Sequence, residues 1–140
     1  MSAGTGVSHS EHNLGSDALR FLQIWILPDQ KRHKPAYGEL KLDWALRKGK
    51  WLHIASGVGG GAPIELHQDT NLYALELSKG DQIEFKVKES RQAYLVLIEG
   101  EAVINGLRLE ARDAIESIEE TLRLQAEQTA HFLVVEMAKA

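Results

Sequence analysis

The stretch Val103-Ile104-Asn105-Gly106-Leu107-Arg108-Leu109 decides the fold of this 140-residue chain. An Asn-Gly pair between two apolar runs is the strongest short-range indication of a β-hairpin, because both central residues of a type I′ turn need a positive φ. We therefore predict two antiparallel strands joined at Asn105-Gly106.

Short β-prone runs continue on both sides of this hairpin and are separated by turn residues. Their spacing is close to the roughly 8–12 residues typical of all-β sandwiches and barrels. The predicted strands outside the hairpin are Trp51–Ser56, Ile64–His67, Asn71–Leu77, Gln82–Val87, Ala93–Glu99, Ala114–Ile118, Leu122–Ala126 and Phe132–Met137. The competing interpretation is a helix over 110–128, since that segment is rich in Glu, Ala and Gln.

The region before these strands holds one further candidate strand and one candidate helical turn. Leu19–Leu27 is rich in β-branched and aromatic residues, is apolar on both faces and is followed by Pro28, which predicts a strand covered on both sides. Asp43–Arg47 is compatible with a helical turn. We therefore expect an all-β fold with short turns and at most one or two short helical segments.

The composition fits a single globular domain and excludes several classes of function. Hydrophobic residues make up 44% of the chain and charged residues 26%, which is ordinary for a globular protein. The formal net charge of -4 gives no electrostatic reason to bind nucleic acid, and the lack of cysteine excludes disulfides and thiolate ligands. Neither a membrane span nor a signal peptide is indicated, so we expect a cytoplasmic location.

His9-Ser10-Glu11, near the N-terminus, is the candidate metal-binding segment. In extended backbone, side chains at i and i+2 point to the same side, so His9 and Glu11 would converge while Ser10 and His12 point away. Imidazole and carboxylate together are ligands that suit divalent transition metals. His9 and Glu11 are therefore predicted as half of a metal site, with any further ligands supplied from elsewhere.

The hairpin is also part of a longer pattern that resembles the cupin motif. The motif runs through Gly100-Glu101, Asn105-Gly106, Leu109, Arg112-Asp113, Ile115 and Ile118. Arg112 stands where the cupin motif usually has glycine. The resemblance implies a single cupin barrel of the jelly-roll kind.

Within the cupins, the chain resembles the pirin family and its quercetinase-like bacterial branch. Ser2–Glu11, which reads SAGTGVSHSE, is similar to the family's SAGxGxxHSE motif. Further matches to the second domain of pirins are Leu22–Trp25 with Pro28, His67–Asp69 with Leu72-Tyr73, and Ile104–Gly106.

Pirins are bicupins, and the resemblance assigns each part of this chain to a part of a bicupin. Their metal, usually iron, lies in the first domain on two histidines of a His-x-His segment and on the His and Glu of the HSE motif. His9 and Glu11 are the matching positions, but the chain contains no His-x-His. The resemblance thus implies that residues 1–18 correspond to the end of the first cupin and 19–140 to the second, metal-free cupin. A natural short protein, a mis-assigned start and a truncation all remain open.

Two functions from different classes follow from this assignment. The first is a non-catalytic cupin module with a structural or interaction role, for which no cofactor is expected. The alternative is a metal-dependent dioxygenase of the quercetin 2,3-dioxygenase type, in which iron or another divalent metal is held through His9 and Glu11 and ligands from elsewhere. In that case Glu11 is also the candidate catalytic base. The missing His-x-His favours the non-catalytic module.

The remaining histidines are more simply explained as structural residues. His67-Gln68-Asp69 could place a base beside an orienting carboxylate, but a hydrogen-bonded strand end explains it better. We expect His53 and His131 to be half-buried in strands and His33 to lie in a solvated loop.

The three tryptophans bear on association. Trp25, Trp44 and Trp51 should pack the core or a face that meets another domain. An uncovered apolar face would favour self-association. We therefore predict a homodimer, formed about a twofold axis or by exchange of the N-terminal segment.

Overall fold

The computed structural model describes residues 1–139 and consists mainly of β-strands from Leu52 onward. A 3₁₀ helix, Trp44–Arg47, precedes them and begins at the Asp43 N-cap, whose side chain accepts a hydrogen bond from the Ala45 amide. The ten strands are β1 (Leu52–Gly57), β2 (Ile64–Leu66), β3 (Thr70–Leu77), β4 (Gln82–Phe85), β5 (Arg91–Glu99), β6 (Glu101–Ile104), β7 (Leu107–Glu110), β8 (Ala114–Ile118), β9 (Leu122–Ala126) and β10 (Ala130–Ala138). No helix in this described part of the chain is long and apolar enough to cross a membrane.

The strands form two sheets that enclose one apolar core. The order is β2-β1-β3-β10-β5-β8 in the six-stranded sheet and β4-β9-β6-β7 in the four-stranded sheet. β1 and β2 pair in parallel, and the other pairs are antiparallel. Alternate residues of each strand point inward, and those with the largest fully buried side chains include Leu75, Leu95, Leu97, Ile104, Leu122 and Val134. The predicted all-β cupin barrel is confirmed.

The β6–β7 hairpin has the predicted turn. Asn105 and Gly106 adopt φ values of 48° and 84°, and Ile104 pairs with Leu107. The Asn105 side chain also accepts a hydrogen bond from the Arg123 amide (2.8 Å) and donates one to the Thr121 carbonyl (3.1 Å). Asn105 therefore joins the turn to β9 as well as closing it.

The helical alternative for 110–128 is wrong, because this segment forms β8 and β9. Leu122, Leu124 and Ala126 of β9 are buried and alternate with exposed residues. β9 is paired on both sides, with β4 and with β6. The period-two burial of these residues outweighs the helical preference of Glu, Ala and Gln.

Leu19–Leu27 does not form the predicted strand covered on both sides. This described segment contains no strand, and Trp25 and Leu27 are 86% and 85% exposed. No neighbouring strand supplies a ladder of backbone hydrogen bonds. The described segment contacts the barrel near both of its ends. Arg20 donates a hydrogen bond to the Glu99 carboxylate of β5. At the other end, the Gln68 side chain donates to the Leu27 carbonyl (2.9 Å) and the Asp29 amide donates to the His67 carbonyl (2.7 Å).

Candidate functional site

The predicted metal-ligand pair does converge in the N-terminal segment. His9 Nε2 lies 3.7 Å from Glu11 Oε1, and both side chains are exposed to solvent, at 36% and 66%. Ser10 and His12, which were predicted to point away from this pair, contact each other, with Ser10 Oγ 3.0 Å from His12 Nε2. The alternation expected for extended backbone is therefore present. A role in metal binding stays a prediction.

His9 and Glu11 alone do not make a metal centre. Within residues 1–139, no group of three or more His, Cys, Asp or Glu side chains is placed to hold a metal ion. Catalytic transition-metal sites generally use at least three protein ligands and keep a further position open. The described residues therefore supply two donors and do not by themselves fit the iron site implied by the pirin resemblance.

His67-Gln68-Asp69 connects the N-terminal region to the barrel. The His67 ring stacks on the His33 ring, with centroids 4.0 Å apart and planes 8° apart. Gln68 holds the Leu27 carbonyl as described above, and Asp69 Oδ2 accepts a hydrogen bond from Arg91 Nη1 at 2.6 Å. His67 and Asp69 therefore have different partners and do not contact each other as a base and its carboxylate within the described residues.

His33 was expected in a solvated loop, but its side chain is only 14% exposed. Its Nε2 lies 2.7 Å from Asp29 Oδ1, and this hydrogen bond lowers the pKa of Asp29. Stacking on His67 and pairing with Asp29 account for the burial of His33. The loop is thus packed against the barrel.

A partly buried polar network, which was not predicted from the sequence, lies at one end of the barrel interior. Arg91 donates two hydrogen bonds to Glu136, from Nε to Oε1 (2.5 Å) and from Nη2 to Oε2 (2.9 Å). Asn71 Nδ2 donates to Glu136 Oε2 at 2.7 Å, and His53 Nε2 lies 3.0 Å from Asn71 Oδ1. With Asp69 on the other side of Arg91, five side chains form one continuous chain of hydrogen bonds.

Strand register explains why these side chains meet. Glu136 of β10 is opposite Asn71 of β3, and Arg91 of β5 is opposite Ala138, two residues beyond Glu136. Glu136 shares the inward face of β10 with buried Phe132 and Val134. A charged residue at an inward position of an otherwise apolar strand was the available sequence indication of this network.

The Arg91–Glu136 pair stays ionised. Burial alone would raise the pKa of Glu136, but hydrogen bonds from Arg91 and Asn71 outweigh it and hold that pKa below its ordinary value. The hydrogen bond to Glu136 likewise raises the pKa of Arg91, against the effect of burial. The two charges therefore neutralise each other inside the barrel.

Aromatic side chains continue the same end of the barrel. Tyr73 stacks on His53 with ring centroids 4.5 Å apart and meets the Phe85 ring edge-on at 5.3 Å. Trp51 packs edge-on against Phe85 at 5.0 Å and donates its indole N–H to the Glu84 carbonyl. Burial raises the pKa of Tyr73. His53 is half-buried in β1, as predicted.

His131, on the outer face of β10, is also half-buried as predicted. Its ring lies 3.7 Å from the Glu76 carboxylate and 3.4 Å from that of Glu99. Burial, followed by the nearby charge of Arg47, lowers the pKa of His131 despite Glu76. His131 is thus part of a cross-strand charge row on the outer surface.

One of the three tryptophans packs against the core and two lie at the surface. Trp51 packs against the core, whereas Trp25 and Trp44 are exposed. The Arg47 guanidinium covers one face of Trp44 at 5.0 Å. The predicted core position is therefore confirmed for Trp51, and a domain-facing role of Trp25 and Trp44 stays a prediction.

The chain has the fold of a cupin. Two sheets close around one core, the Asn105-Gly106 hairpin joins two of the strands, and polar side chains lie at one end of the barrel. The sequence of the chain matches the quercetinase C-terminal cupin domain family over residues 53–137. The chain belongs to this family of pirin-like proteins, as its resemblance implied.

Known proteins agree with this assignment. A Pseudomonas aeruginosa protein, whose name assigns it provisionally to the quercetin 2,3-dioxygenases, is 37% identical over 140 residues, which are 99% of this chain and 60% of that protein. The quercetin 2,3-dioxygenase of Escherichia coli K12 is 33% identical over 82% of this chain and 49% of its own length. This chain therefore spans about half to three fifths of these relatives.

Solved structures show the same fold. Escherichia coli YhhW superposes with a TM-score of 0.75 at 22% identity, covering 83% of this chain and 49% of that one. The structure of the same bacterial pirin in complex with nickel(II) gives a TM-score of 0.73 at 20% identity, with the same coverage.

Proposed function

We propose that this chain is a non-catalytic cupin module of the pirin type, with a structural or interaction role. The observation that carries the proposal is the donor count: His9 and Glu11 converge, and residues 1–139 bring no third donor to them. Inside the barrel, the buried carboxylate of Glu136 is already bound by Arg91 and Asn71. In this proposal 19–140 is the cupin unit and 1–18 corresponds to the end of a preceding cupin.

The second candidate is a metal-dependent dioxygenase of the quercetin 2,3-dioxygenase type. It is supported by the convergence of His9 and Glu11, by the names of the relatives and by the nickel(II) bound to the Escherichia coli pirin. Iron, nickel or another divalent metal would then need ligands beyond these two side chains, from another chain or segment. The two candidates differ in whether His9 and Glu11 retain a metal.

Metal content decides between the two candidates. Tag-free protein purified without chelator should contain much less than one equivalent of iron, nickel or zinc by ICP-MS, and the His9→Ala/Glu11→Ala variant should be indistinguishable from it. His12→Ala is the matched control, because His12 lies in the same segment but contacts Ser10. Near-stoichiometric metal that is lost in the double variant and kept in the control would overturn the non-catalytic proposal and favour an inter-chain site.

We also propose that the module forms a homodimer through Leu19–Leu27. Phe21, Leu22 and Trp25 in this segment are exposed, and residues 19–26 make no backbone hydrogen bond within the described chain. A β-prone segment with free backbone groups can pair with the edge of a sheet, and a second copy supplies such an edge at β7 or β8. Leu107 and Ile118 on these strands are themselves exposed apolar residues.

The dimer proposal predicts a mass near twice 15.6 kDa by size-exclusion chromatography with light scattering at micromolar concentration. Phe21→Asp/Ile24→Asp should give a monomer, because a buried interface would have to desolvate two new carboxylates. Leu14→Asp is the control, since Leu14 is 96% exposed and lies outside the segment. A monomeric wild-type protein, or a double variant that remains dimeric, would refute the proposal.

A further inference from the structure

The polar network and the aromatic side chains border an open groove at the end of the barrel. The groove has a volume of about 410 Å³, and Trp51, Tyr73, Phe85, Lys86, Lys88 and Arg91 are among the residues that line it. This volume lies within the range of about 300–1,000 Å³ that is usual for small-molecule sites. The groove is separate from His9 and Glu11, which do not line it.

The ion pairs around this groove leave positive charges without a partner. The Glu136 carboxylate is bound by Arg91, and the Glu84 carboxylate pairs with Arg123 at 3.1 Å. Asp69, next to the groove, is bound by Arg91 as well. Lys86 and Lys88, in contrast, form no ion pair with any of residues 1–139. The charges left without a partner are therefore positive, which favours an anion.

The groove also offers aromatic side chains and a free hydrogen-bond donor. The Phe85 ring meets the rings of Trp51 and Tyr73 edge-on, with planes 74° and 66° apart, and edge-on or offset contacts are the ones that a further aromatic ring would make. The Tyr73 hydroxyl has no hydrogen-bond partner among the described residues. A phenol is protonated at neutral pH, and burial raises the pKa of Tyr73 further, so the hydroxyl can donate.

We propose that the barrel-end groove binds a small aromatic carboxylate, with the carboxylate near Lys86 and Lys88 and the ring against Trp51 and Phe85. Neutral aromatic compounds lack the charge, and aliphatic acids lack the flat ring. Binding here requires neither a metal nor catalysis, and it therefore goes beyond the proposed structural or interaction role.

The test is a titration of ¹⁵N-labelled protein with benzoate, followed by the shifts of the Trp51 indole N–H and of the amides of 84–88. Benzamide and cyclohexanecarboxylate at the same ionic strength separate the contributions of charge and ring. We expect saturable shifts for benzoate. Benzamide lacks the negative charge and should bind about tenfold more weakly, a difference of about 1.4 kcal/mol.

Substitutions of lysine residues then test which positive charges contact the benzoate carboxylate. Lys86→Gln/Lys88→Gln should weaken benzoate binding by about tenfold, while Lys31→Gln/Lys34→Gln, which alters two lysines outside the groove, should leave it unchanged. Tyr73→Phe should weaken binding without altering the fold, because its ring stacking is retained. Absence of saturable shifts, equal binding of benzoate and benzamide, or equal effects of the two lysine double variants would overturn the proposal.

Discussion

Replacing Arg91 with alanine should lower the free energy of unfolding by about 3–5 kcal/mol, the cost of leaving one member of a buried ion pair without its partner. Glu136 is only 8% exposed, and Arg91 supplies two of its hydrogen bonds. In Arg91→Ala the carboxylate would have to remain charged with Asn71 as its remaining partner or take up a proton. Urea unfolding at neutral pH, monitored by tryptophan fluorescence, measures the change.

A matched surface pair shows how much of this effect comes from burial. Arg108 contacts Glu101 at 2.6 Å, but its side chain is 65% exposed, so Arg108→Ala should cost no more than about 1 kcal/mol. The Arg91→Met/Glu136→Leu variant removes both charges and should recover most of the stability lost in Arg91→Ala. Equal costs for Arg91→Ala and Arg108→Ala would show that the network at the barrel end contributes little.

The pH dependence of the same pair has a definite sign. The pKa of Glu136 in the folded protein is below its ordinary value of 4.5, so the folded state binds fewer protons than the unfolded state as the pH falls below that value. The contribution of Glu136 is therefore complete above about pH 4.5 and is lost at lower pH. In Arg91→Ala this dependence should weaken or reverse, because burial without the guanidinium raises the pKa.

Local sequence patterns were sufficient for the hairpin and for most strands of the barrel. Asn105-Gly106 specifies its turn through backbone conformation alone, and Leu122 and Leu124 show their burial by alternation. The convergence of His9 and Glu11 was likewise predictable, because it depends only on two residues in extended backbone. Each of these features is decided within a few residues.

The features that could not be predicted from the sequence depend on residues far apart in the chain. The composition of Leu19–Leu27 shows a preference for burial and for β-structure, but not whether another strand lies beside it. The hydrogen bonds of the barrel-end network join Asp69, Asn71, Arg91 and Glu136 from three strands and a loop, so only the sheet register brings them together. The stacking of His33 on His67 joins two loops and has no counterpart in local sequence.

Gly100→Ala should cost about 2–5 kcal/mol, and Gly106→Ala only about 1–2 kcal/mol, although both glycines belong to the same cupin-like pattern. Their φ values are nearly equal, 90° and 84°, so both variants carry the cost of placing alanine in a left-handed conformation, about 1–2 kcal/mol. A Cβ at Gly106 would meet no atom within 4 Å, whereas one at Gly100 would collide with the carbonyl oxygen of Thr129 and lie 2.8 Å from Ala130 Cα. Those atoms are backbone at the start of β10, and moving them would disturb its pairing with β5, which adds an overpacking cost of about 1–3 kcal/mol.

Urea unfolding of both variants measures the difference, and equal losses would mean that backbone conformation alone requires glycine at position 100. A larger loss at Gly100 would instead show that glycine is needed there because β10 passes too close for any side chain.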